Sequence, residues 1–340
     1  MAKRAKRQQL KGAISIQGPS GAGKTLSSLL LAYGMMKDEY PEMDDFDVWG
    51  KIGLIDTEHE RSLVYENTSY QGVTIGQFWH EPLNAPYTIE RYDNSFRSLL
   101  SEGVEVIIVD SSSHAWDGEG GVQDYNQNLG GRFQDWRKTN KDAYYPMISL
   151  FTGEKYRCHV ITTARTKQSY AMQTNDMGKQ EVVKVGLQPI QRDSLEYEFQ
   201  IALNLDMQHK VTVSKDNSEI FAGVTGTILP EHGAKINQWL SKGVDIQAER
   251  AEAERLQKEA DEKERQNMIR GIRLIEEQYS LQTWVQAMEQ HKSINAKTED
   301  MPLHHLQRFY EAALSKVDEQ EKIKAQAEAK KEKTDKKGAK

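Results

Sequence analysis

The octapeptide GPSGAGKT, running from Gly18 to Thr25, constrains this chain more than any other stretch. It follows the alternating run Ala13, Ile14, Ser15, Ile16 and precedes the apolar stretch from Leu26 to Met36, so a strand leads through a glycine turn into a helix. A turn in that setting wraps polyphosphate with its backbone N–H groups and the positive end of the helix. Glycine is needed there because a Cβ would block the close approach of the chain. On this reading Gly18, Pro19, Ser20, Gly21, Ala22, Gly23, Lys24 and Thr25 form an ATP-binding loop. Lys24 neutralises the β- and γ-phosphate oxygens, and the Thr25 hydroxyl takes a place on Mg²⁺.

The polarity of the 340 residues is uneven. Residues 12–242 carry the β-rich, aromatic-containing patterns of a packed core, preceded by a basic flexible arm, 1–11. Residues 243–266 read as a charged helical linker, 267–316 as a small helical bundle and 317–340 as a disordered charged tail. The bundle rests on Ile269, Ile272 and Ile275, then Leu281, Trp284 and Met288, then Leu303, Leu306, Phe309, Tyr310 and Leu314. A stabilising or oligomerising cap is its plainest role. No apolar run approaches a membrane span, and the basic N-terminus is not followed by a leader-type segment, so the expectation is a cytoplasmic protein without a membrane partner. A single cysteine, Cys158, excludes an intrachain disulfide or a cysteine-cluster zinc site. The net charge of -6 argues against a protein that coats nucleic acid along its whole surface.

Along the core, Lys51 to Asp56, Val73 to Phe78, Val104 to Val109 and His159 to Ala164 read as strands. Helices are expected on the face carrying Ile89, Tyr92, Phe96, Leu99 and Leu100, over Asp142 to Lys155, and over Glu231 to Leu240. Alternating strands and helices imply an α/β fold with a mainly parallel sheet covered on both faces. Phe199 to Leu205, Lys210 to Ser214 and Gly226 to Leu229 then suggest an antiparallel extension. Ligands gather at the carboxyl ends of such strands, where Gly18, Glu58, Asp110 and Arg165 fall. Asp110 fits the acid that holds Mg²⁺, and Glu58 the base that deprotonates an attacking water.

GPSGAGKT, then LIDTEH, then VIIVDS resembles the P-loop core of RecA-type recombinases and ring helicases. The run from Gly186 to Lys215 resembles, more narrowly, the phage-encoded RecA-like ATPases that act as minimal recombinases or single-strand annealing proteins. The likeness covers about residues 10–230. It implies a RecA-like core with Glu58 catalytic, Asp110 at the metal, and Lys215 reaching a neighbouring subunit's γ-phosphate. Asn217 stands where the family usually has a second cation, and Thr162, Thr163, Ala164 and Arg165 stand where a polar sensor is expected. Arg165 either replaces a missing charge or pairs with a nearby acid.

The resemblance also implies two loops gripping single-stranded DNA, here Ser112 to Lys141 and Thr166 to Val185. Arg132, Lys167 and Lys184 are its candidate DNA contacts, and cations interleaved with Trp136 and Tyr170 suit a phosphate track with stacking platforms. The expected function is a Mg-ATP-dependent ATPase, homo-oligomeric as a ring or filament, that promotes annealing or strand exchange in phage recombination or replication. Single-strand-binding or replication proteins are its expected partners, and the bacterial host cytoplasm its location. A hexameric helicase and a nucleotide-switch adaptor remain alternatives.

Overall fold

The computed structural model describes residues 4–174, 180–291 and 296–338; of these, 170, 171, 173, 174, 180–185, 246, 247 and 329–338 are described by their backbone alone. Two compact units result, Met1–Val244 and Asp245–Lys340.

The first unit opens with β1 (Ala13–Gly18), α1 (Lys24–Glu39), α2 (Asp45–Trp49) and β2 (Ile52–Asp56). A small hairpin, β3 (Ser69–Tyr70) and β4 (Val73–Thr74), leads to β5 (Trp79–Pro82), α3 (Ile89–Ser101) and β6 (Val106–Asp110). Short helices follow: α4 (Ser112–Asp117), α5 (Val122–Asn128), α6 (Trp136–Thr139) and α7 (Tyr145–Phe151). Then come β7 (His159–Thr174), β8 (Gln180–Pro189), β9 (Ile201–Leu205), β10 (Val211–Asp216) and α8 (Pro230–Leu240).

The central sheet has the order β10, β9, β1, β7, β6, β2, β5. All neighbours pair in parallel except β10, which is antiparallel to β9, while β8 pairs antiparallel with β7 off the main path. The unit is therefore α/β with a mostly parallel sheet. Its inner strands β2 and β6 are apolar on both faces because both are buried. Ile52, Leu54, Val106 and Ile108 pack into the cluster that holds α1 and α8, and Ile55, Ile107 and Val109 pack into the one that holds α3 and α7. Successive side chains point to opposite faces, so β2 and β6 each feed both cores.

Several expectations need correction. Val73 to Phe78 is not a sheet strand: only Val73–Thr74 pairs, within the hairpin, and the strand beside β2 is Trp79–Pro82. Being an edge strand, it lacks the apolar run that marks a buried one. Gly226 to Leu229 forms no strand; one hydrogen bond ties Val211 N–H to the Gly226 carbonyl at 2.9 Å. The helix expected over Asp142 to Lys155 is a π turn, Asn140–Tyr144, followed by α7. Of the second expected DNA loop, the described residues 166–174 and 180–185 form an antiparallel ribbon of β7 and β8, and the alternation of Val183, Val185 and Leu187 with Lys184, Gly186 and Gln188 is itself a strand signal; residues 175–179 lie outside the described residues. Residues 1–11 are not wholly a free arm. Arg7 donates to the carbonyls of Lys242 and Trp239 at 3.1 and 2.8 Å, and Gln8 bridges Val244.

The second unit comprises α9 (Ile246–Gln278), α10 (Gln282–Glu289) and α11 (Leu303–Gly338). Its core is Ile272, Val285, Met301, Leu306 and Phe309, with Trp284 against it. The linker and the first bundle helix are one helix, and of the segment expected to be disordered the described residues 317–338 continue α11. Ala, Glu, Lys and Gln favour helix whether or not they are buried, which composition read for burial overlooks. Among the described residues no helix is long and apolar enough to cross a membrane.

In the first unit, α1 and α8 approach closely through two glycines. A Cβ on Gly34 would lie 1.8 Å from the Pro230 carbonyl oxygen, and one on Gly233 2.1 Å from that of Leu31. Gly233→Ala is thus expected to lower stability by about 3 kcal/mol, read as a fall in the urea midpoint. Gly226→Ala, with no heavy atom within 4 Å of the new Cβ, is the control and should stay within about 0.5 kcal/mol.

Candidate functional site

Parallel register sets the site. Gly18 lies opposite Arg165, and Asp56 opposite Asp110, so β1, β2 and β6 end, and β7 leaves the parallel sheet, along one edge. The turn after β1 needs its glycines: Gly21 and Gly23 are left-handed (φ 86° and 81°), and a Cβ on Gly18 would meet the Leu205 carbonyl oxygen at 2.6 Å. Gly23 caps α1, so the first N–H groups of that helix open toward the turn. Lys24 Nζ donates to the Gly18 and Pro19 carbonyls, each at 2.9 Å. Burial holds its pKa below the usual lysine value, against the raising influence of Asp110 and Glu58.

Asp110 is buried at the end of β6. Its carboxylate accepts from the Thr25 hydroxyl and, at 2.5 Å, from the Thr163 hydroxyl. Burial raises its pKa, partly offset by those two hydrogen bonds. A hydroxyl and a single carboxylate suit Mg²⁺, which keeps several waters and takes its remaining ligands from phosphates. Among the described residues no group of three or more His, Cys, Asp or Glu is placed to form an all-protein cage.

Asp56 shapes the turn that carries Glu58. It accepts from Glu58 N–H at 2.7 Å and from the Ser62 hydroxyl at 2.5 Å. His59 and Glu60 follow in the left-handed region (φ 60° and 61°), a conformation that costs free energy for residues with a Cβ. Glu58 is then held by Arg165. The Arg165 Nε donates to one carboxylate oxygen at 2.6 Å, its terminal Nη2 donates to the other, and the Ser111 hydroxyl adds a bond at 3.3 Å. Burial pushes the Glu58 pKa up, but the Arg165 hydrogen bonds and charge outweigh it, leaving the carboxyl below its ordinary value. Nearby, Thr57 Oγ1 lies 2.6 Å from His114 Nδ1, and the His114 ring stacks on Tyr87 at 4.7 Å.

These groups open into one cavity of about 630 Å³. Ser20, Gly21, Gly23, Lys24, Thr25, Glu58, Asp110 and Arg165 line its polar end, while Gly18 and Pro19 serve as Lys24 acceptors and Ala22 is buried beneath the turn. Lining residues not foreseen as part of a site in the sequence include Arg61, Tyr65 and Tyr70, the last two meeting edge to face at 5.9 Å, with His209 and Ile228. Tyr65 belongs to the short 3-10 helix just after Glu58, so its nearness in sequence was a usable signal. His209 had none, since it comes from the β9–β10 turn and reaches Gly23 only through the fold.

Other predicted residues lie elsewhere. Lys215 is on the outer strand β10, donating to the Tyr197 carbonyl at 2.6 Å, and does not line the cavity. Arg132 is exposed and faces Asp135 at 4.0 Å; Lys167 is exposed on the ribbon. Lys184 falls opposite Tyr170 in β8, and its side chain lies outside the described residues.

No protein-family model matches the chain, and no curated protein matches it.

The Glu58–Arg165 pair has a pH signature. A carboxyl whose folded pKa is depressed contributes stability above its unfolded pKa and loses it as pH falls through the folded value. The urea midpoint of Arg165→Met should therefore lie below that of the native chain at neutral pH. The gap should close as pH drops beneath the ordinary carboxylate range; a gap independent of pH would contradict the pairing.

Proposed function

We propose that this chain is a RecA-like P-loop ATPase that hydrolyses Mg-ATP, binds single-stranded DNA, and promotes annealing or strand exchange in phage recombination or replication. The carrying observation is the meeting of Lys24, Thr25, Asp110 and Glu58 around one cavity, with a glycine turn and a helix N-terminus at its base. Phosphate oxygens offer Lys24 better acceptors than the two carbonyls it now uses, because an ionised acceptor makes the stronger bond. Thr25 and Asp110 would hold Mg²⁺, which would supply neutralisation of phosphate charge. The aromatic wall of Tyr65 and Tyr70 gives the nucleotide's base a surface to lie against.

Glu58 takes the proton of the attacking water as the bond to the γ-phosphorus forms and the bond to the ADP oxygen breaks. With both oxygens occupied by Arg165, Glu58 is a poor base, so at least one of those hydrogen bonds must open before hydrolysis. Arg165 begins the polar continuation of β7 into the ribbon, which couples the ribbon's position to the base. The assignment of DNA as the working partner draws on the resemblance to the phage annealing ATPases. Lys215, on the outer strand, acts in this reading on the nucleotide of a second copy, as part of a homo-oligomer.

ATP turnover with and without single-stranded DNA, at fixed salt, tests the reading. Glu58→Gln should keep ATP binding and lose about 10²- to 10⁴-fold in turnover, whereas Lys24→Ala should lose tight ATP binding. Native turnover by Glu58→Gln, or native ATP affinity in Lys24→Ala, would sink it. Arg165→Met should raise turnover in the absence of DNA and shrink the stimulation by DNA. A fall in DNA-free turnover would instead make Arg165 a phosphate-binding cation.

A further inference from the structure

One buried carboxylate ties down both ends of the turn that carries Glu58. Asp56 accepts from the Glu58 N–H at 2.7 Å through one oxygen, and through the other from the Ser62 N–H at 3.2 Å and the Ser62 hydroxyl at 2.5 Å. His80 Nε2 lies 3.4 Å from that second oxygen. Asp56 and Ser62 are both buried, a low-dielectric setting that strengthens these bonds. Three residues remain between the two anchors. His59 and Glu60 are exposed, do not line the cavity, and are both left-handed, a pairing that costs free energy for residues with a Cβ. The turn they make brings Arg61, the first residue of the short 3-10 helix that ends at Tyr65, to the same cavity as Lys24, Glu58 and Asp110.

The other charged groups of the cavity are engaged. Glu58 has both oxygens on Arg165, Asp110 accepts from the Thr25 and Thr163 hydroxyls, and Lys24 donates to two carbonyls of the glycine turn. Arg61 differs: among the described residues its guanidinium has neither a hydrogen bond nor an ion pair, and its side chain is exposed, so folding does not require it. An unpaired guanidinium lining a phosphate-type cavity offers phosphate oxygens a planar fork of N–H donors. The turn decides which phosphate. Asp56 holds Glu58 and Arg61 as one unit, three residues apart, so the cation belongs to the end of the nucleotide that the base attends, whereas the inner phosphates lie in the glycine turn.

We infer that Arg61 binds the terminal phosphate of the nucleotide from within the same chain, and so makes the site prefer a triphosphate to a diphosphate. The inference rests on the Mg-ATP reading above and deepens it. It supplies a cation at the terminal phosphate while Arg165 stays on Glu58.

Calorimetric titration of the full chain, with Mg²⁺ present, against the non-hydrolysable β,γ-imido analogue of ATP and against ADP tests it. Arg61→Ala should weaken the analogue about 10- to 100-fold, the loss expected for one charge-assisted contact, and leave ADP within about 2-fold. Arg61→Lys keeps the charge and loses the fork, so its affinity for the analogue should fall between those of Arg61→Ala and the native chain. The urea midpoint of Arg61→Ala should stay native, since the side chain is exposed and unpaired. Equal weakening of the analogue and of ADP would put Arg61 on the inner phosphates or the nucleoside and overturn the inference. Unchanged affinity for both would make it a solvated surface cation, overturning the inference while leaving the ATPase reading standing. A native chain that binds neither nucleotide would remove the ATPase reading and this assignment together.

Discussion

Parallel pairing of β1, β7, β6 and β2 is the constraint on which the rest depends. Strands that run the same way end on the same side, so the turn after Gly18, the acids Glu58 and Asp110, and Arg165 need no further device to converge. That arrangement is stable only because each strand buries side chains on both faces, and the two apolar clusters flank the sheet. Several polar atoms at its edge answer one another. Thr25 and Thr163 satisfy Asp110, and Asp56 and Ser62 shape the turn to Glu58.

Glu58 and Arg165 show how much one side-chain pair can hold in balance. Burial alone would push the carboxyl toward neutrality, and the guanidinium holds it ionised instead. An ionised carboxylate with both oxygens hydrogen-bonded is well placed and weakly basic at once. The sequence left Arg165 open between a phosphate contact and an acid's partner; in the structure it reaches Glu58 and lines the cavity as well. Position in the fold thus makes one residue a candidate for both tasks.

Much of the core was legible from local pattern. GPSGAGKT between an alternating strand and an apolar helix fixed the turn, and continuous runs such as Val106 to Val109 marked buried strands. What escaped was whatever lacked a one-dimensional signature. The edge strand Trp79–Pro82 buries too little to look like a strand, and in the β7 half of the ribbon polar residues interrupt the apolar pattern. The C-terminal segment is helical through Gly338 for a different reason, since intrinsic helix propensity and burial are separate properties.

The sequence by itself determined which atoms are available for phosphate and metal: a glycine turn that no Cβ permits otherwise, a lysine, a threonine and two acids at strand ends. The turn, the lysine and the threonine follow from chain order, because neighbours along the backbone stay neighbours in space, and each acid follows from the buried strand it ends. Only the tertiary structure decided that His209, Tyr65 and Tyr70 close the same cavity, that Arg165 grips Glu58, and that Arg192 threads between Trp136 and Tyr144. Those contacts join segments far apart in the chain, and their geometry is set by sheet register and packing rather than by any local preference.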